Sequence, residues 1–273
     1  MLTVEQKKFF DTFGFLVLRQ DFSPDEMKLI VRDYELLMTQ ALGDQGKSRE
    51  VVAEHISVEP GFCERATTLR TLSEDPRIRG VAEELLAPGT FYAGSDGHLY
   101  CGDTGWHPDL GWHPGFPKGQ ADPNFKAVGG HYYPGVKVAL YIDPVGSTTG
   151  CLRVIPGSHL NPFHDALASL HCQVPEQSPQ LLDDPCFKRF GVEPDEVSAY
   201  AIESLPGDVV FFSHQLWHAS FGGSNGRRMF ALAYKAAPSN EGQRQLAEHY
   251  KAKVQDCLAE YGTEFDGTVK LKS

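Results

Sequence analysis

The chain lacks most of the features that would place it outside the ordinary globular class. No apolar run approaches the roughly 18 residues that a membrane-spanning helix needs. The opening Met1-Leu2-Thr3-Val4-Glu5-Gln6-Lys7-Lys8 has no apolar core of the secretory type. Positive charge is scarce: 25 Lys and Arg stand against 36 Asp and Glu, a formal net charge of −11. That balance argues against nucleic acid or another polyanion as partner. The six cysteines, Cys63, Cys101, Cys151, Cys172, Cys186 and Cys257, form no CxxC pair and no zinc-knuckle spacing. Several lie in apolar runs, where a thiol acts as a small hydrophobe, so reduced core thiols are expected rather than disulfides. No internal repeat, low-complexity tract or linker divides the 273 residues. The expectation is one soluble, cytoplasmic domain over residues 1–273, large enough to bury a sizeable core and free of any membrane association.

What is present begins with helices. Thr3-Val4-Glu5-Gln6 is a capping box leading into Phe9, Phe10 and Phe13, and Gly14 ends that helix. Phe15–Leu18 reads as a short buried strand. Ser23-Pro24-Asp25-Glu26 is a second capping box, opening a helix to about Ala41 with Met27, Ile30, Val31, Tyr34 and Leu37 on one face. Residues 43–74 show no clear pattern. Asp75 caps a third helix running to about Leu86, with Pro76 at its first position. From Thr90 the character changes to short strand-like runs separated by Gly, Pro, Asp and Asn. These are Thr90–Gly94, Val136–Ile142, Leu152–Ile155, Ala199–Ser204, Val209–Phe212 and Met229–Tyr234. A final helix spans about Asn240 to Glu260, capped by Ser239. Helices, then strands, then a helix indicate α+β rather than alternating α/β. The helical part covers about 1–88, the strand-rich core about 90–236 and the last helix about 240–260.

The chemistry concentrates in two places. In Trp106-His107-Pro108-Asp109, extended backbone turns His107 and Asp109 to the same side, where an imidazole and a carboxylate can share one metal ion. Two histidines and one carboxylate leave open positions suited to non-haem Fe(II) oxygen chemistry. A lone HxD arises easily by chance in a chain with 11 histidines, so a second element must support it. Pro206-Gly207-Asp208-Val209-Val210-Phe211-Phe212 reads as a turn feeding a buried strand, followed by Ser213-His214-Gln215-Leu216-Trp217-His218. A glycine-rich loop and Arg227-Arg228 come next. A strand-end histidine and an arginine some ten residues later can supply a third ligand and a bidentate anchor for a dicarboxylate. The Val-Val-Phe-Phe run favours strand and so favours His218 over His214 as that ligand.

These segments, taken in order, resemble the phytanoyl-CoA dioxygenase (PhyH-like) family of Fe(II)/2-oxoglutarate-dependent oxygenases. Leu2–Leu18 resembles the family's opening helix and strand, and Phe22–Ala41 its second helix. Trp106–Asp109 resembles the metal motif, and Gly150-Cys151-Leu152-Arg153-Val154-Ile155-Pro156-Gly157-Ser158-His159 a characteristic family segment. Pro206–His218 with Arg227 resembles the distal histidine and the 2-oxoglutarate arginine. The resemblance implies a double-stranded β-helix (jelly-roll, cupin-like) core flanked by helices. It implies His107, Asp109 and His218 as iron ligands and Arg227 as the anchor of the far carboxylate of 2-oxoglutarate. Fe(II), 2-oxoglutarate and O2 would be the cofactor and cosubstrates, with succinate and CO2 released.

Other residues are candidates for substrate contact. His113 follows the HxD motif by four residues but has no carboxylate two residues on. Residues 114–135 form a Gly/Pro-rich insertion carrying His131, Tyr132 and Tyr133, either a substrate lid or a packed loop. Lys137, opening an apolar strand, either binds an anion or is solvated there. His159 follows a turn and reads as structural. The resemblance implies, through the retained Asp109, hydroxylation, desaturation, epoxidation or ring formation rather than halogenation, since halogenases of the wider superfamily lack that carboxylate. No basic cluster matches the phosphates of coenzyme A, so a free small molecule is preferred to an acyl-CoA, in a monomer or homodimer. The contrasting classes are a silent jelly-roll binding module and a metal-dependent isomerase. Turnover of 2-oxoglutarate to succinate separates both from an oxygenase.

Overall fold

The computed structural model describes residues 1–44, 55–100, 103–109, 133–167, 170, 199–220 and 226–261. Helix α1 (Val4–Phe13) starts on the expected capping box. Thr3 Oγ1 accepts from Gln6 N at 3.2 Å, and Gln6 Oε1 accepts from Thr3 N at 2.8 Å. It stops at Gly14, whose φ of +82° is left-handed backbone that glycine adopts without strain. Strand β1 (Phe15–Leu18) follows, then α2 (Pro24–Asp44). The second box is also made: Ser23 N donates to Glu26 Oε2 at 2.8 Å and Glu26 N to Ser23 Oγ at 3.4 Å. Met27, Ile30, Tyr34 and Leu37 of α2 are buried, as their spacing requires.

The patternless stretch holds β2 (Ile56–Val58) and α3 (Thr67–Leu72). The helix expected over Asp75–Leu86 is divided. Asp75 does cap it, accepting from Arg77 N at 2.9 Å. Its carbonyl, however, accepts from both Ile78 N and Arg79 N, at 2.9 and 2.7 Å. Pro76–Gly80 forms a wide turn of π type, and α4 begins only at Val81, running to Leu86.

Strands then dominate: β3 (Phe91–Tyr100), β4 (Thr104–His107), β5 (Gly135–Tyr141) and β6 (Leu152–Val154). A short α5 (Phe163–Ala166) precedes β7 (Tyr200–Ile202), β8 (Val209–Ser213), β9 (His218–Ser220) and β10 (Arg227–Lys235). Helix α6 (Glu241–Tyr261) closes the described chain. Its cap is Asn240 rather than Ser239: Asn240 Oδ1 accepts from Gln243 N at 2.9 Å, while Ser239 N donates to the Gln243 side chain at 2.8 Å.

Two antiparallel sheets make the jelly-roll core, ordered β1-β8-β5-β10-β3-β2 and β4-β9-β6-β7. Alternation along the larger sheet separates two cores. Val136, Val138, Leu140, Phe211, Phe230, Leu232 and Tyr234 face the helices and pack with Ile30, Tyr34, Phe62, Leu69 and Ile78. Ala139, Tyr141, Val210, Phe212, Met229 and Ala231 face the smaller sheet, with Leu152, Val154 and Ile202. Each fully buried large side chain in these layers contributes about 1.5–3 kcal/mol. Cys63 and Cys151 are buried free thiols. No helix among the described residues is long and apolar enough to cross a membrane.

The turn before β8 fixes the start of the segment that carries His218. Gly207 has φ +99°, and a Cβ there would sit 2.5 Å from the Phe22 carbonyl oxygen. Asp208 accepts from Arg19 Nη1, Gln20 N and Leu205 N at 2.7, 2.9 and 3.0 Å. Gly207→Ala is expected to destabilise the protein by about 2 kcal/mol or more. A urea midpoint within experimental error of wild type would contradict this reading of the turn.

Candidate active site

His107 ends β4 and His218 begins β9, and the two residues pair directly across the smaller sheet. Their rings lie 4.3 Å apart. Each imidazole is held by a carbonyl two residues earlier in the chain. His107 Nδ1 lies 2.7 Å from Gly105 O, and His218 Nδ1 lies 2.8 Å from Leu216 O. A backbone carbonyl can only accept, so in each neutral ring Nδ1 carries the proton and the Nε2 lone pair is free. Both free nitrogens face Asp109: His107 Nε2 is 3.9 Å from Oδ1 and His218 Nε2 is 3.8 Å from Oδ2. One ligand atom from each of the three lies within 4.8 Å of the others. The spacing predicted from the HxD motif and the distal histidine is thus brought together in space.

The donor set fits a divalent cation. Asp109 Oδ2 is buried and makes no hydrogen bond. Burial would raise the Asp109 pKa, but the Lys137 ammonium and then His218 and His107 outweigh it and hold the carboxyl well below the usual range. Burial lowers His218 to about 4, helped by neighbouring His107, which keeps the ring neutral as a ligand must be. Backbone contacts make this geometry stiff. Trp217 N, just before His218, donates to the buried Ser158 Oγ at 2.9 Å, and Ile155 N donates to Trp217 O at 3.0 Å. The Ile155–His159 segment is therefore a buttress, and His159 Nε2 lies 3.2 Å from Asp11 O, remote from the triad.

Arg227 and Arg228 part company as adjacent strand residues must. Arg228 turns to the helical side, where Asp143 accepts from its Nε at 2.7 Å and Glu35 pairs with its Nη1. Arg227 is buried on the inner side. Its Nη2 donates to Ser220 Oγ at 2.6 Å, and the guanidinium lies 4.6 Å over the Tyr100 ring. Nε and Nη1 remain buried without an acceptor. A buried guanidinium with unused donors is suited to a carboxylate.

Lys137 is largely enclosed and paired with two carboxylates. Its Nζ lies 3.0 Å from Asp96 Oδ2 and 3.3 Å from Asp109 Oδ2. Burial works against its charge, but the Asp109 and Asp96 carboxylates prevail and raise its pKa well above the ordinary lysine range. Tyr133 is buried and donates to Ala236 O at 2.9 Å. His113, His131 and the insertion over 114–132 lie outside the described residues. Three participants went unread in the sequence: Asp96, Tyr100 and Ser220. Ser220 sits two residues after His218, so period two along β9 would have found it. Asp96 and Tyr100 lie beyond Gly94, where the expected strand stops, yet β3 runs through both.

Comparisons with known proteins bear on the family and the fold. A family model described as phytanoyl-CoA dioxygenase matches residues 10–230. No curated protein matches the chain significantly by sequence. Among solved structures, the chain is similar to the non-haem α-ketoglutarate-dependent carbocyclase SnoK from nogalamycin biosynthesis, with 18% identity, 86% of this chain and 85% of that one covered, and a TM-score of 0.60. It is similar to HygX from Streptomyces hygroscopicus with nickel and 2-oxoglutarate bound, with 18% identity, coverage of 87% and 88%, and a TM-score of 0.59. The epimerase SnoN, in complex with Fe3+, α-ketoglutarate and a nogalamycin compound, follows at 14% identity, coverage of 85% and 83%, and a TM-score of 0.57.

The triad predicts one tight Ni(II) or Fe(II) site per chain. By calorimetry, His107→Ala and His218→Ala should each weaken binding by more than the roughly 10–100-fold that loss of an outer partner costs. His214→Ala should leave metal affinity nearly unchanged. Metal loss in His214→Ala with retention in His218→Ala would overturn the assignment.

Proposed function

The chain belongs to the phytanoyl-CoA dioxygenase family, and on that premise we propose that it is an Fe(II)/2-oxoglutarate-dependent dioxygenase that oxidises a small-molecule metabolite. The observation that carries the reading is the His107/Asp109/His218 triad beside a buried Arg227 with two unsatisfied nitrogens. His107 and His218 would offer Nε2, and Asp109 one carboxylate oxygen, to the iron. Bound there, iron would supply O2-dependent oxidation, with 2-oxoglutarate consumed to succinate and CO2.

The chain's own residues bind, orient and exclude. Arg227 and Ser220 would together grip the far carboxylate of 2-oxoglutarate, with the Tyr100 face beneath the guanidinium. Ala139 and Ala231, small and inward-facing, leave space between the sheets for the cosubstrate chain. Lys137, with Nζ 3.3 Å from Asp109 Oδ2, would keep that carboxylate ionised and oriented toward the two histidines. Trp106 and Trp217, both buried with Ile155 and Ala219 behind the smaller sheet, keep water from the backs of the histidines. Hydroxylation is the leading outcome. A carbocyclase and an epimerase are among the proteins of similar fold, which supports keeping ring formation and desaturation within the proposal.

Titration with 2-oxoglutarate tests the anchor. Arg227→Ala should raise the half-saturating concentration roughly 30-fold or more, the loss of a buried charge-assisted contact of about 2–5 kcal/mol. Metal affinity should be largely kept. Arg228→Ala should lower stability through Asp143 and Glu35 but leave the 2-oxoglutarate requirement alone. The reverse ranking would remove Arg227 from the site. Substrate-stimulated succinate release across a metabolite panel tests the reaction class, and a protein that binds metal but never makes succinate would contradict it.

A further inference from the structure

Beyond the triad, two basic side chains are buried against each other with no acid between them. Lys235 ends β10 and His214 follows β8, and both flank Gly135 at the start of β5. Lys235 pairs with Gly135 across the sheet, and His214 N donates to Gly135 O at 2.9 Å. Lys235 is 3% exposed and His214 5% exposed. Their side chains meet at 2.6 Å between Nζ and Nδ1. Gly135 is what lets them converge: a Cβ there would lie 2.7 Å from His214 Nδ1 and 2.8 Å from Lys235 Cδ.

The hydrogen-bond accounting is one-sided. An ammonium can only donate, so His214 Nδ1 accepts from Lys235 and the ring proton sits on Nε2. That Nε2 is buried with no partner. Among the described residues, the other Lys235 donors meet only aromatic faces: Nζ lies 5.7 Å from the Tyr133 ring centre and 5.9 Å from that of Tyr250. Among the described residues, His214 Nε2 is therefore left unpartnered beside the Lys235 ammonium, with only the Val136 carbonyl acting on the ring, and a ligand oxygen would satisfy both. Electrostatics agree. Burial lowers Lys235 to about 7, with Lys137 adding to the fall and the Asp109 carboxylate opposing it. Burial and then Lys235 lower His214 well below its ordinary value, against the pull of Asp109 and the Val136 carbonyl. A bound anion would reverse the strain on Lys235.

The position matters as much as the charge. Gly135 and Lys137 lie two residues apart on the inner face of β5, about 7 Å along the strand, and Lys137 touches Asp109. Arg227 lies toward the opposite end of β10, eight residues before Lys235. The pair thus sits across the triad from the 2-oxoglutarate anchor. We propose that Lys235 and His214 form an oxyanion subsite that receives the carboxylate of an acidic small-molecule substrate. The proposal rests on the oxygenase reading above and names the substrate class for it. One cation and one neutral donor suit a singly charged carboxylate better than a doubly charged phosphate. The substrate's oxidised carbon would then lie a few bonds from its acid group.

The test uses protein loaded with Ni(II) and 2-oxoglutarate, which blocks turnover and fills the Arg227 site. Butyrate, hexanoate, hexanamide and methyl phosphate are titrated by calorimetry. Hexanoate should bind at least about 10-fold more tightly than hexanamide, as expected for charge-assisted hydrogen bonds. Lys235→Met and His214→Phe should each abolish that preference while keeping Ni(II) bound, which also shows that the variants fold. In parallel, the 13Cε resonance of Lys235, identified by its loss in Lys235→Met, should move on adding hexanoate. This measurement works on unloaded protein too, so failure to load would sink the oxygenase reading and leave the subsite separately testable. Equal binding of hexanamide and hexanoate, an unmoved Lys235 resonance, or a preference retained in Lys235→Met would overturn the subsite. Tighter binding of methyl phosphate than of hexanoate would overturn the carboxylate.

Discussion

Side chains on the larger sheet leave alternately toward the helices and toward the second sheet, and that period of two sorts the molecule's chemistry. On β10, Phe230, Leu232 and Tyr234 enter the helix-facing core and Met229 and Ala231 take the other side, with Arg227 and Lys235 at positions of the same parity as Met229 and Ala231. On β5, Val136, Val138 and Leu140 alternate with Lys137, Ala139 and Tyr141 in the same way. A shift of one residue would exchange the two sets, placing arginine and lysine against Ile30 and Phe62. The helix-facing core therefore fixes the register that aims the inner residues at the triad.

Placing charge inside a sheet sandwich requires compensation, because burial without partners costs several kcal/mol per ion. The inner face meets this requirement unevenly. Asp96, Lys137 and Asp109 form a compensated line, with salt bridges of 3.0 and 3.3 Å. His98 extends it, with Nε2 2.8 Å from Asp96 Oδ1. Arg227 is only partly satisfied, and Lys235 with His214 lacks any acid among the described residues. The unmet valences fall on either side of the triad, and ligands would complete them. Rigidity comes from the other direction. Ser158 holds Trp217, backbone carbonyls hold both imidazoles, and Gly157 N donates to Phe13 O at 3.0 Å, tying the buttress to the end of α1.

Much of this was legible in the sequence, because local signals and tertiary demands coincide. Both capping boxes, the Gly14 stop and the opposite faces of Arg227 and Arg228 follow from local rules, and the structure carries them all. The weaknesses have physical causes. The expected strand stops at Gly94 because Ser, Asp, Gly and His disfavour strands, yet β3 runs to Tyr100, where its polar groups meet partners in Glu64, Lys137 and Arg227. Strand β4 and β9 are too short to show periodicity. The capping rule places the start of the helix after Asp75 but carries no information on the wider π turn over Pro76–Gly80 that precedes α4. Lys137 and His214 could not be resolved from strand position alone, since their partners come from β3, β10 and the HxD turn.

On the proposed function, His107, Asp109, His218 and Arg227 hold metal and 2-oxoglutarate together. The most direct test of that function is visible absorption under anaerobic conditions, as Fe(II) and 2-oxoglutarate are added singly and together. A charge-transfer band is expected that needs both, saturates at one equivalent of iron per chain, and is absent in His218→Ala. A wild-type protein that binds 2-oxoglutarate equally well with and without iron, and never develops the band, would contradict it.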